Sequence, residues 1–83
     1  MLYDIVEAKV VKNYTLFLRF ENGVKGNIDI SKIIPFEGIF SKLKDIDYFA
    51  TVILDKELGT IVWDNGADLS PEYLYSIISG TAA

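Results

Sequence analysis

The chain has no cysteine and no histidine among its 83 residues. Without cysteine there is no disulfide, thiolate metal site or cysteine nucleophile, so a small domain must hold together by packing alone. Without histidine the commonest general base and the commonest metal ligand are missing, which excludes a Ser-His or Cys-His triad and an imidazole-bound zinc. Long apolar runs are also lacking: nothing approaches the roughly 18 residues of a membrane span. The start "MLYDIVEAK" carries Asp4 and Glu7 and has no basic segment followed by an apolar one, unlike an export signal. The expectation is a cytoplasmic protein without membrane attachment.

What is present suits one folded unit. A chain this short buries only about 60% of its unfolded surface and supports one core, so residues 1–83 are read as a single domain. Its 51% hydrophobic content is too high for a disordered chain. Charge is unevenly spread. Residues 1–44 hold seven Lys/Arg against five Asp/Glu, a net of +2; residues 45–83 hold only Lys56 against seven acids, a net of −6. An acidic half repels phosphate backbones, so nucleic acid is not expected as a direct partner, and a basic protein partner is favoured. The plainer explanation of the same acids is a soluble surface.

Alternation marks the strands. "IVEAKVVK", Ile5 to Lys12, sets Val6, Ala8 and Val10 against Glu7, Lys9 and Val11; "TLFLRF", Thr15 to Phe20, points Leu16, Leu18 and Phe20 inward. Asn13-Tyr14 joins them, and the "ENG" turn, with Gly23 supplying a positive φ, leads into "VKGNIDI". These three runs predict an antiparallel meander. Pro35 and Gly38 then stop any strand, with Ser31 available to cap a helical turn through Ile34. Phe40, Leu43, Ile46 and Phe49 recur every three residues, which predicts short helical segments, a second one capped by Asp45 or Asp47. Thr51–Asp55 and Thr60–Trp63 flank the turn "KELG" as a second hairpin. Ser70 as N-cap, Pro71 in the first turn and Glu72 at the positive end of the dipole start a terminal helix with Leu74, Ile77 and Ile78 on one face; Gly80 stops it, leaving "TAA" as a frayed end. The predicted fold is α+β: an antiparallel sheet of about five strands, short helices in the middle, and a C-terminal helix packed on the sheet.

Two stretches resemble a known family. Phe20, Asn22, Gly23, Asp29 and Ile30 match a strand, Asn-Gly turn and acidic strand end. Trp63, Asn65, Gly66, Asp68, Leu69, Pro71, Glu72, Leu74 and Tyr75 match a W-x-[ND]-G-x-D-[LI]-x-P-[ED]-x-L-Y signature. Together they resemble domain of unknown function family 2442, a small bacterial family, over nearly the whole chain. The resemblance implies no established activity. Some members carry an extra helix-turn-helix, which this chain is expected to lack because it ends about where the domain ends. Family genes often stand beside those of another small family, an arrangement resembling toxin–antitoxin pairs.

The polar segment "WDNGAD" admits several readings. Asp64, Asn65 and Asp68 offer oxygens to a hard cation, but a calcium loop of the EF-hand type needs a later glycine and a closing bidentate glutamate, and neither stands in place. No metal or cofactor is expected. Asp64 and Asp68 as an acid–base pair, or as a small-ligand site, form a third-ranked functional reading. The structural reading is a strand–turn–helix joint in which Asp68 bonds amides near the helix start. Trp63 is expected to close the core, while Asp64, Tyr75, Phe36 and Tyr14 are the candidate partner-binding residues. Tyr75 lies off the Leu74 face, and Tyr14 with Phe17 and Arg19 is placed on the outer face of the first hairpin, which suits stacking, self-association or cover for the sheet. The leading expectation is a non-enzymatic protein-interaction module, antitoxin-like; the alternative is a nucleic-acid-associated regulator acting through an oligomer.

Overall fold

Period-two patterning produces an antiparallel meander in this computed structural model, which describes residues 3–80. β1 (Ile5–Lys12), β2 (Thr15–Phe20) and β3 (Lys25–Asp29) lie in the order β1-β2-β3. β4 (Ile53–Asp55) and β5 (Thr60–Val62) form a separate two-stranded sheet, tied to β1 where the Ile5 amide donates to the Gly59 carbonyl at 2.8 Å. Between the sheets come a 3-10 turn at Ile30–Lys32, a longer 3-10 segment at Gly38–Lys44 and the single turn α1 (Ile46–Phe49); α2 (Pro71–Ser79) closes the chain. The fold is α+β. No helix among the described residues is long and apolar enough to cross a membrane.

The core follows the inward face of β2. Leu16, Leu18 and Phe20 are fully buried, joined by Ile28, Ile30, Leu43, Phe49, Ile61, Trp63 and Leu74. Leu74 is the buried residue of α2, with Ile77 and Ile78 packed half-buried against the same core, as their helical spacing requires. Gly26 makes that approach possible. A Cβ at this position would stand 3.0 Å from Cγ2 of Ile78, so β3 presents bare backbone to the helix. Ser70 accepts from the Tyr73 amide as N-cap, and Gly80 takes φ 76° as the left-handed C-cap, ending the helix at the expected residue. The "TAA" tail lies outside the described residues.

Several expectations need correction. Val6 and Val11 are each the extra residue of a β-bulge, because Ile5 opposes Phe20 while Glu7 opposes Arg19, and Val10 opposes Leu16 while Lys12 opposes Thr15. Ile5 therefore takes the inner place assigned to Val6; Ala8 and Val10 do share a face with Leu18 and Leu16. Asp29, not Ser31, caps the first 3-10 turn, accepting from both the amide (3.0 Å) and the hydroxyl (2.5 Å) of Ser31. The three-residue spacing of Phe40, Leu43 and Ile46 suits a 3-10 segment, in which every third residue is eclipsed; Ile46 nonetheless falls beyond its end and is exposed. Asp45 caps α1, accepting from the Asp47 amide. Thr51 belongs to the turn that follows α1, its hydroxyl donating to the Tyr48 carbonyl, so β4 begins only at Ile53.

Candidate functional site

The Trp63–Pro71 segment is built as a joint. β5 ends at Val62, after which the Trp63 amide donates to Ala67 O at 2.8 Å and the Gly66 amide to Trp63 O at 3.1 Å. Gly66 sits at φ 91°, a conformation that a side chain would strain. Asn65 works in two directions: its Oδ1 accepts from the Ala67 amide at 3.0 Å, and its Nδ2 donates at 3.0 Å to the carbonyl of Ile39. The first bond closes the turn and the second fastens it to the 3-10 segment. Val62 and Asp68 form an isolated bridge, and the buried Thr60 hydroxyl donates to Leu69 O at 2.5 Å. Trp63 is 2% exposed, its indole N–H donating to Phe49 O at 3.0 Å while the rings lie 5.6 Å apart. Its polar tip is satisfied inside the core, as a buried tryptophan requires.

Asp68 does not behave as expected. Its exposed carboxylate takes no hydrogen bond from the helix amides; Ser70 does that work at 3.3 Å and also donates to Glu72 at 3.2 Å. Asp64 is exposed and accepts a 2.6 Å bond from the Tyr48 hydroxyl. That bond, then burial, raises the Tyr48 pKa above its ordinary value, because ionising the phenol would set two negative oxygens against each other. The Lys42 ammonium lies 5.0 Å from the centre of the same ring. An open depression of about 310 Å³ is lined by Asp4, Ile5, Val6, Leu54, Lys56 and Gly59, and so by neither Asp64 nor Asp68. Among the described residues no three carboxylates are grouped as a metal would need.

The aromatic candidates are drawn inward. Tyr14 leaves the outer face of the hairpin because Asn13 turns the chain at φ 45°, and its ring meets Phe36 at 5.1 Å and Phe49 at 5.3 Å, edge-on. Its hydroxyl donates to the Lys44 carbonyl. Phe36 is half-buried in the same group. Tyr75, expected to project away from the core, packs edge-on against Phe20 at 5.2 Å, and its hydroxyl accepts from Asn22 Nδ2 at 3.0 Å. Asn22 uses its other atom to accept from the Val24 amide, completing the turn that Gly23 enters at φ 92°. Of the four partner-binding candidates, Asp64 alone is exposed; Tyr14, Phe36 and Tyr75 are half-buried. Tyr48 was missed in the sequence, since it stands sixteen residues from Asp64 with no periodicity to link them.

The chain belongs to the family described as "Protein of unknown function (DUF2442)", which matches residues 5–80. Comparison with curated proteins and with solved structures returns no match. The two signature stretches of the family thus meet in space, Asn22 of the first holding Tyr75 of the second.

Proposed function

We infer that this DUF2442 member is a non-enzymatic, cytoplasmic protein-interaction module, the antitoxin-like half of a two-gene pair, which engages a basic protein through its C-terminal part. One observation carries the reading. The seven acidic residues from Asp45 to Glu72 are all exposed except Asp55, which is half-buried, and among the described residues none lies within ion-pair distance of a cation, since both ion pairs there involve Glu7. Exposed Ile46, Ile53, Leu58 and Tyr73 stand among these acids. Unneutralised charge interleaved with apolar side chains is a surface that speeds encounter with an oppositely charged protein and then buries area against it.

The test is copurification of the tagged chain from its native cell, followed by titration of the neighbouring gene product. Recovery of a basic protein whose affinity falls with salt, and falls further on Asp64→Lys, supports the reading. Recovery of no protein, together with no binding by the neighbour, refutes it. Retention of DNA or RNA at low salt in a gel-shift assay would instead favour the nucleic-acid alternative.

A further inference from the structure

The geometry points to the free edge of β1 as a self-association surface, on which a second copy of this chain adds its own β1 antiparallel across a two-fold axis centred on Ala8. β1 is the longest strand and an outer one in the order β1-β2-β3. Which of its backbone groups face outward follows from the ladder. The Phe20 amide donates to Val24 O at 2.8 Å, so Phe20, and by alternation Leu18 and Leu16, turn their backbone groups toward β3. Their opposites on β1 therefore face the free edge. Ile5, opposite Phe20, obeys this by donating to Gly59 O; Ala8 and Val10, opposite Leu18 and Leu16, have no such partner among the described residues.

In a new antiparallel ladder an outward-facing residue must oppose an outward-facing one and an inward-facing residue an inward-facing one, which restricts the register. Centring the pair on Lys9 would set two ammonium groups face to face, a destabilising arrangement. Centring it on Ala8 lets Ala8 and the partner's Ala8 exchange two backbone bonds, and sets Glu7 against the partner's Lys9 and Lys9 against the partner's Glu7. Glu7 already bonds Arg19 and Lys9 of its own chain, each at 3.0 Å on this face, so in the pair each Lys9 lies between two Glu7 carboxylates, its own and the partner's, and the row of alternating charge runs on across the axis. The same register brings the partner's Val10 to Val6, beside the depression lined by Ile5, Val6 and Leu54. Val6 and Val10 are 41% and 39% exposed, and both lose water in the pair. Bulges on edge strands limit pairing, and here those at Val6 and Val11 confine it to the stretch Val6–Val10. A two-fold of this kind closes at two copies.

Sedimentation velocity of the full chain tests this with charge-reversed variants at exposed or half-exposed positions. Wild type should run as a dimer at high loading and dissociate on dilution. Lys9→Glu sets the new carboxylate of each copy against Glu7 of the other, and Glu7→Lys places two ammonium groups together; each should weaken dimerisation by at least about tenfold. A one-to-one mixture of the two variants sets opposite charges together on both sides of the axis wherever unlike copies meet, so it should dimerise where neither variant does alone, and the double variant Glu7→Lys with Lys9→Glu, which swaps both signs within one chain, should likewise recover the dimer. Circular dichroism melts show that each variant is folded. A monomeric wild type, a Lys9→Glu protein as dimeric as wild type, or a folded double variant that stays monomeric would each overturn the proposal.

Discussion

Replacing Asn65 separates a structural joint from a recognition site, because its two bonds differ in what their loss exposes. In Asn65→Ala the Ala67 amide loses its acceptor, and Ala67 is 1% exposed, so water cannot readily replace the bond. A buried donor left unpaired costs about 1–3 kcal/mol. The Ile39 carbonyl also loses a donor, but Ile39 is half-exposed, so solvent recovers most of that bond and about 0.5 kcal/mol or less is lost. The sum is about 2 kcal/mol, or roughly 8–16 °C in Tm for a domain of this size. Asn65→Asp keeps an oxygen for the Ala67 amide and gives up only the exposed bond, so about 0.5 kcal/mol or less is expected. Urea unfolding followed by the fluorescence of Trp63, the sole tryptophan, measures both, with an unchanged m-value as the check on two-state behaviour. If Asn65→Ala unfolds within about 0.5 kcal/mol of wild type, or Asn65→Asp costs as much as Asn65→Ala, the burial-based reasoning fails.

Leu74→Ala, which empties a fully buried site beneath α2, should cost about 2–5 kcal/mol by the same assay. In an alkaline titration read by tyrosinate absorbance, Tyr48 should ionise above its ordinary value of 10.0, and Asp64→Ala should bring it back down. Because its folded pKa is raised, the Tyr48–Asp64 bond contributes stability below about 10 and loses it as pH climbs through the folded value, so the variant should show a flatter alkaline limb. Glu7 has the opposite sign. Hydrogen bonds from Lys9 and then Arg19 hold its carboxyl below the ordinary 4.5, so its contribution is present above that value and disappears as pH falls through the folded one. Glu7→Gln should remove that portion of the acid limb, measured as Tm against pH.

The elements legible in the sequence were those whose cause is local. Alternation in Thr15–Phe20 and the Ser70, Pro71 and Gly80 punctuation of α2 act over a few residues, and both elements form where their patterns place them. The bulges at Val6 and Val11 were not legible, because valine fits a strand as readily in the ladder as outside it. Asp29 displaced Ser31 as cap because both are good acceptors and only the direction of the emerging chain decides between them. Tyr14 and Tyr75 were read as outward-facing from their own elements, but Phe36 and Phe49 in one case and Phe20 in the other reach them from distant segments. Such placements depend on the closed core, which no short window of sequence contains.

The polar residues of the strand–turn–helix joint have consequences beyond stability, because of where they leave Asp64. Trp63 is locked on one side by the core and by its bond to Phe49, and Asn65 is locked on the other by the Ala67 amide and the Ile39 carbonyl. The residue between them has little backbone freedom, and its carboxylate is further held by Tyr48. A charge presented from so constrained a position loses little entropy when a partner binds it, which raises affinity without adding a contact. Asp68, with no such tether among the described residues, has no comparable advantage. The residues that build the joint and the exposed acid are therefore distinct: Trp63, Asn65 and Gly66 supply rigidity, and Asp64 is the charge that the proposed interaction would draw on. Loosening the turn by Asn65→Ala should accordingly weaken partner binding even where the protein remains folded, while Asp68→Asn should leave binding nearly unchanged.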